Sequence, residues 1–416
     1  MKILIVNKFL YPHGGSETYI FEIGKELQRL GHEVQYFGME HEGNIVGNHA
    51  ESYTSDLDFH KKSLSTITYP FKIIYSIDAK KKIRKVLEDF FPDVVHLNNI
   101  NFQITPSIID EIKHFDPKIR VVYTAHDLQW VCPNHRMRLS GTENFCKLCA
   151  EGKYMNCAKY KCIHNSRARS ILGAIEGWYY RKKKTYSKVD SIICPSEFME
   201  KMLSMNDTLK GRTKVLRNFI PEAQAESNTA DQSIVNNLPE KYVLYFGRFE
   251  EEKGIDVIIK ACKELPQISF VFAGNGTAEN EISELPNCYN TGFLKGQTLT
   301  QVIKRAEFTV YPSLAYENCP FSIMESMIEG TPVIASDIGG IPELLDNGRT
   351  DDTKNHAGVL FKPGNVEELT EDIRRLWNSQ DTVDAMSKSC VNIAGNSFSS
   401  VQQYCEDLIR IYQLSK

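Results

Sequence analysis

No run of apolar residues in this 416-residue chain approaches the eighteen or so that a membrane span needs. The opening MKILIVNKFLYP holds one short apolar stretch, broken by Asn7 and Lys8, and lacks the longer apolar region and small-residue cleavage site of a secretory signal. The expectation is therefore a cytoplasmic protein, with KILIV as a first buried strand. Charge of one sign is also missing: the net charge of −4 gives no overall case for nucleic acid or membrane. No solenoid-type repeat is present. Eleven cysteines in a reducing compartment are not a disulfide framework.

What is present is one α/β theme used twice, and the length suits two domains of about 200 residues each. The most informative stretch runs from Phe308 to Leu345. FTVYPS reads as a buried strand, FSIMESMIEG as a helix, TPVIAS as the next strand and IPELL as the next helix. Strand, crossover helix and parallel strand form a βαβ unit. Pro320 suits the first helical position, which leaves the amides of Phe321, Ser322 and Ile323 pointing outward. A helix N-terminus after a strand is an anion site, because orphan N–H groups and the macrodipole both favour negative charge. Glu317 lies just before it and Glu325 within it. Two carboxylates beside an anion pocket must face something other than the anion, such as the hydroxyls of a sugar or ribose flanking a phosphate.

Earlier in the chain, Pro12-His13-Gly14-Gly15-Ser16-Glu17 separates the first strand from a helix that stops at Gly31. The two glycines allow close backbone approach to a ligand; a plain turn with Ser16 as N-cap fits the same residues. His126 and Asp127 follow the strand RVVYTA, at the carboxyl end where open α/β sheets collect ligands. Asp127 suits a cap equally well. Asp56-Leu57-Asp58 has the form of a metal-binding Asp-x-Asp, but no apolar strand precedes it, and it reads as a solvated loop. Pro221 to Glu240 is polar and aperiodic, a linker. After it, YVLYFG is followed by RFEEEKG, where Arg248 and Lys253 can reach a diphosphate, one as a fork and one as a point charge. Gly274-Asn275-Gly276 suits a ligand-facing turn, and NGRTDDTKNHAGVLFKPG reads as a hairpin.

Between Cys132 and Cys162 five cysteines fall within 31 residues. Cys146 and Cys149, then Cys157 and Cys162, form two close pairs that can fold short loops about one structural zinc ion, with Cys132 or His135 as a substitute ligand; free thiols in a loop fit the same spacing. From Glu151 to Ile220 fifteen Lys/Arg face six Asp/Glu. Most of that excess sits on a helix expected over residues 167–188, beside Trp178, Tyr179 and Tyr180. Such a face can be solvated or can rest on anionic lipid. No nucleic-acid motif accompanies it.

Glu317 and Glu325, followed by GTPVIASDIGGIPELL, resemble the carboxylate pair of the retaining glycosyltransferases of family four, which have the GT-B fold. Here Asn318, Cys319 and Pro320 occupy the loop where the family usually has glycines. The resemblance implies two Rossmann-like α/β domains facing across a cleft: an acceptor domain over residues 1–220 carrying the Cys-rich insert 132–164, a donor domain over 221–397, and a C-terminal helix, 398–416, crossing back. It implies transfer from a UDP- or GDP-sugar to a glycan or lipid-linked acceptor in surface polysaccharide or glycolipid synthesis, without a catalytic metal. Gly14 and Gly15 would close over the donor phosphates, and His126 would lie near the donor sugar. Arg248 and Lys253 would hold the diphosphate. Gly292 and Phe293 would contact the base, Glu325 the ribose and Glu317 the sugar. Alternatives on the same scaffold are a sugar-nucleotide epimerase, a glycan phosphorylase, or a zinc-bearing binding protein without activity. The Glu pair with Arg…Lys disfavours the first, and the second lacks an evident lysine for pyridoxal phosphate.

Overall fold

The computed structural model describes residues 1–55, 73–139, 145–220, 230–345 and 356–414. Asp56-Leu57-Asp58 lies outside these. The chain forms two compact units, one of Met1–Arg217 with Val401–Lys416 and the other of Asn218–Ser400.

The first unit is built on six parallel strands: β1 (Lys2–Val6), β2 (Glu33–Phe37), β3 (Val94–Leu97), β4 (Arg120–Thr124), β5 (Ser191–Cys194) and β6 (Thr213–Val215), in the order β2-β1-β3-β4-β5-β6. KILIV, VVHL and SIIC are almost wholly buried, as strands covered on both faces must be. The order reverses at β1, which has β2 on one side and β3 on the other, so the ligand crevice of this sheet lies beyond the ends of β1 and β3. Helix Gly15–Arg29 follows β1, and Gly31 (φ 85°) terminates it in the left-handed conformation that a Cβ disfavours. The last helix, Val401–Gln413, packs on it, with the Tyr404 hydroxyl 2.8 Å from that of Tyr19. His96, fully buried on β3, is held at 2.7 Å by both Tyr412 and Thr124.

The second unit repeats the plan with β7 (Val243–Phe246), β8 (Phe270–Ala273), β9 (Cys288–Asn290), β10 (Phe308–Tyr311), β11 (Val333–Ser336) and β12 (Gly358–Phe361), ordered β12-β11-β10-β7-β8-β9 and all parallel. The reversal falls at β7, flanked by β8 and β10.

Three local expectations change. β12 pairs parallel to β11, so GVLF is the return strand of a crossover and not one arm of a hairpin. The polar stretch before β7 contains a short helix, Gln232–Asn236, anchored by the buried Val235 and by the Asp231 amide donating to Thr298 Oγ1. The basic helix expected over residues 167–188 ends at Lys182: Lys184 turns left-handed (φ 53°), and a separate 3-10 turn covers Thr185–Lys188. Asp110 draws that break inward, since both Lys183 and Lys188 pair with it. Among the described residues no helix is long and apolar enough to cross a membrane.

Candidate functional site

In the second unit the two loops flanking the switch point clasp one another. Gly254 (φ 73°) lies so close to the Pro312 carbonyl that a Cβ would stand 1.9 Å from its oxygen, and the Leu314 amide donates to Glu252 O at 2.9 Å. This close approach is why the loop after β7 ends in glycine. It also brings Lys253 Nζ to 2.7 Å from Glu317 Oε1, which additionally accepts from Ser313 Oγ at 2.9 Å. Both side chains keep some solvent access, 26% for Lys253 and 16% for Glu317. The pair is thus partly desolvated yet reachable. The Glu317 backbone is fixed from the other side, where the Gly340 amide donates to its carbonyl at 2.8 Å and Gly339 (φ 66°) packs against that carbonyl.

Helix Phe321–Ile328 begins four residues after Glu317. Pro320 is its N-cap, with an extended ψ of 127°, and not its first helical residue; no side chain caps the helix. Phe321, Ser322 and Ile323 make up the first turn, whose amides carry the positive end of the helix dipole. Glu325 sits one turn on, where burial pushes its carboxyl up to about 7. A carboxyl so placed is readily neutral or hydrogen-bonded, which suits a sugar hydroxyl better than a phosphate. Tyr311, at the end of β10, is held well above its ordinary range by burial and by Glu317 beside it.

Other expected residues lie further out. Arg248 follows β7 but pairs with Glu250 at 2.9 Å and is half exposed. Gly292 takes φ 70°, and Phe293 is 69% exposed. Gly274 and Gly276 lie against the loop that follows β7. They press on the backbone of Gly247 and Phe249, where a Cβ would stand 1.9 and 2.5 Å from carbonyl oxygens.

In the first unit, Gly14 is the extended N-cap of helix Gly15–Arg29 and no side chain caps it. Ser16 lies inside the helix and donates to Glu17 Oε1 at 2.9 Å, so the Ser16 cap is not formed. Glu17 is buried and also accepts from Asn7 Nδ2 at 2.8 Å, which ties the glycine turn to the end of β1. His126 Nε2 lies 2.9 Å from Asn98 Oδ1, with the Tyr19 ring 5.0 Å away. Burial pushes His126 down to about 4, only partly opposed by Asp127, so the imidazole is neutral at pH 7. Behind this loop the buried Glu176 accepts from Asn101 Nδ2 at 3.1 Å, and burial pushes its carboxyl up to about 7. Sequence reasoning missed Ser313, Tyr311, Asn98 and Glu176. The first three stand at or just beyond strand ends next to the switch points, a position that can be read once strand order is known.

Cys132, Cys146, Cys149, Cys157 and Cys162 line one cavity in the first unit, while His135 and His164 are exposed. Among the described residues no three His, Cys, Asp or Glu side chains are arranged to hold a metal ion as they stand.

The model of Glycosyltransferase Family 4 matches residues 13–224, about half the chain, and that of Glycosyl transferases group 1 matches residues 226–391. The chain belongs to glycosyltransferase family 4. Among curated relatives of this family 4 chain, the sulfoquinovosyl transferase SQD2 of Arabidopsis thaliana is 30% identical over 37% of this chain and 30% of its own length. An uncharacterized 42.6 kDa protein in the cps region of Klebsiella pneumoniae is 24% identical over 83% of this chain and 87% of its own. The matches span 30 to 58% of the first four relatives' own lengths. The solved structure of Anabaena HepE in complex with UDP aligns over 99% of both chains, with a TM-score of 0.64 at 17% identity, a likeness of fold. The family 4 chain thus has the GT-B fold, two Rossmann-like domains each with a six-stranded parallel sheet.

Proposed function

We propose that this chain transfers a sugar from a nucleotide-sugar donor to a glycan or lipid-linked acceptor, with retention at the anomeric carbon. The observation that carries this reading is the Lys253–Glu317–Ser313 cluster at the switch point of the second sheet, immediately before an uncapped helix N-terminus. In the transfer the bond between the anomeric carbon and the phosphate oxygen breaks and the acceptor hydroxyl takes its place, its proton passing to the departing phosphate. Negative charge builds on the leaving diphosphate. Lys253, Arg248 and the amides of Phe321–Ile323 are the positive groups suited to that charge, and they act without a divalent ion. Glu317 would take hydroxyls of the donor sugar, Glu325 the ribose, and Gly292 with Phe293 the base. To the first unit we assign acceptor recognition, while its Gly14 and Gly15 would take the donor phosphates and its His126 the donor sugar.

Uracil as the base is supported by the HepE complex with UDP, and surface-polysaccharide synthesis by the Klebsiella relative. An acceptor on the cytoplasmic face of an anionic membrane is supported by helix Arg167–Lys182, which carries the exposed Ile175 and Trp178, Lys182 over the Trp178 ring, and Arg167 and Arg169 in its first turn. Lys183 and Lys188 are already paired with Asp110.

The test is a thermal-shift panel of UDP-, GDP-, ADP- and dTDP-sugars on wild type and Lys253→Ala, followed by turnover with the selected donor. A shift of several degrees with one base, lost in the variant, with turnover at least ~100-fold lower, is expected. Unchanged turnover by Lys253→Ala overturns the assignment.

A further inference from the structure

The insert between β4 and β5 carries a small apolar cluster of its own. Its core cluster contains only Cys149, Tyr154, Cys157 and Ala174, with Cys162 and Ile163 against it, so half of its buried members are cysteine. Yet the segment holds an irregular path. His135, Met137, Lys161, His164 and Asn165 all take φ between 45° and 53°, five of the ten non-glycine residues with positive φ among the described residues. Residues held there need surroundings that over-determine them.

The same segment wraps five thiols around one cavity of about 10 Å³, room for a single water-sized particle or ion. None of the five is in a disulfide. Asn134, Arg138, Asn156 and Tyr160 share the lining, and the five thiols add soft sulfur donors, the ligand type that selects zinc and related thiophilic ions over magnesium or calcium. The sulfurs differ in what they already do. Cys132 Sγ donates to Asn134 Oδ1 at 2.7 Å, a contact internal to its own turn. Cys157 and Cys162 hydrogen-bond to each other across a turn closed by the Cys162 amide on Cys157 O at 3.1 Å. Cys149 makes a long 3.9 Å contact to Tyr154 O and a hydrogen bond to the Cys157 backbone, and Cys146 lines the same cavity. The thiols ring the cavity without yet converging on a point. Each has a single χ1 to turn, and rotation about it is the movement that would bring the sulfurs together.

We propose that Cys146, Cys149, Cys157 and Cys162 bind one structural zinc ion as a four-thiolate tetrahedral site that locks the insert of the first unit, with Cys132 held apart by Asn134. The site is closed, with no open coordination position, so it supplies no chemistry to glycosyl transfer. Its role is to hold the wall that runs from the His126 loop into helix Arg167–Lys182. The inference does not depend on which donor or acceptor the enzyme uses.

The test uses the full chain purified without added metal. Mass-spectrometric metal analysis is expected to give about one zinc per chain. Well under one ion, or iron with acid-labile sulfide in its place, overturns the proposal. In the same wild-type protein, a zinc chelator is expected to raise the number of thiols open to a disulfide reagent by four and to lower the melting temperature. Zinc alone, and not magnesium, should restore both. Cys146→Ser and Cys157→Ser should lose the ion while Cys132→Ser keeps it. If Cys132→Ser loses zinc as fully as Cys146→Ser, the assignment of ligands is wrong. If chelation leaves thiol access and melting unchanged, the site does not exist.

Discussion

Replacing Glu176 with Gln should stabilise the first unit, and by an amount that depends on pH. Glu176 is 2% exposed on helix Arg167–Lys182, where it accepts a 3.1 Å hydrogen bond from Asn101. Burial is the largest influence on its carboxyl; Asp127 adds to the rise, and donation from Asn101 and Gln129 opposes it, leaving it near 7 against an ordinary 4.5. Tyr180 and Tyr186 also face it and are neutral across the useful range. The sign follows from linkage. The folded state holds the proton more tightly than the unfolded state, so no stability is lost below about pH 4.5. Stability then falls as pH rises, and the loss is complete above about 7. A shift of that size corresponds to about 3 kcal/mol at pH 8 and under ~1 kcal/mol at pH 5. Gln keeps the shape and the acceptor for Asn101 but cannot ionise. At pH 8 Glu176→Gln should therefore raise the melting temperature of the first unit by about 6–10 °C, with a gain of only a degree or two at pH 5. Calorimetry of both proteins at both pH values is the assay. A Gln variant less stable than wild type at both values, or equally stabilised at both, would show that Glu176 is ionised in the fold and that the reasoning is wrong.

Two further outcomes follow from the same geometry. Gly339→Ala places a Cβ 2.2 Å from the Glu317 carbonyl at φ 66°, whereas Gly211→Ala, at φ 81°, meets nothing within 4 Å. The second should cost only the left-handed strain, about 1–2 kcal/mol. The first should cost more and, by displacing Glu317, should lower transfer at least ~10-fold; equal effects of the two on melting and turnover would refute the clasp. His126 is neutral until about pH 4, so its unfolded form takes up protons first as pH falls below 6.5. It should therefore cost the fold about 2 kcal/mol at pH 5. His126→Asn should flatten that part of the urea-midpoint profile, and an unchanged slope would place the titrating group elsewhere.

The readings that held rest on local chemistry, and those that failed rest on partners distant in the chain. KILIV, VVHL, YVLYF and FTVY are apolar enough to be read as strands buried on both faces, and FSIMESMI as the helix after β10, because each carries its own burial pattern. Whether GVLF returns as a hairpin arm or a crossover strand is decided by β11, which pairs with it in parallel across a long connection. Helix Arg167–Lys182 stops where it does because Asp110, more than seventy residues earlier, captures Lys183 and Lys188. The Ser16 cap fails for a nearer reason: Glu17 claims that hydroxyl and is itself anchored by Asn7 on the end of β1. The candidate donor site shows both cases at once. Glu317, Glu325 and Lys253 could be singled out as residue types in an arrangement, but nothing local says that Lys253 meets Glu317 at 2.7 Å across 64 residues. That contact follows from sheet order. Once β10 lies between β7 and β11, the loops beyond their ends must touch, and Gly254 after β7 and Gly339 after β11 are the residues that let them press on the loop after β10 closely enough for the ion pair to form. The glycines near a family 4 carboxylate pair can thus be read as packing requirements of neighbouring loops as much as contacts for a ligand.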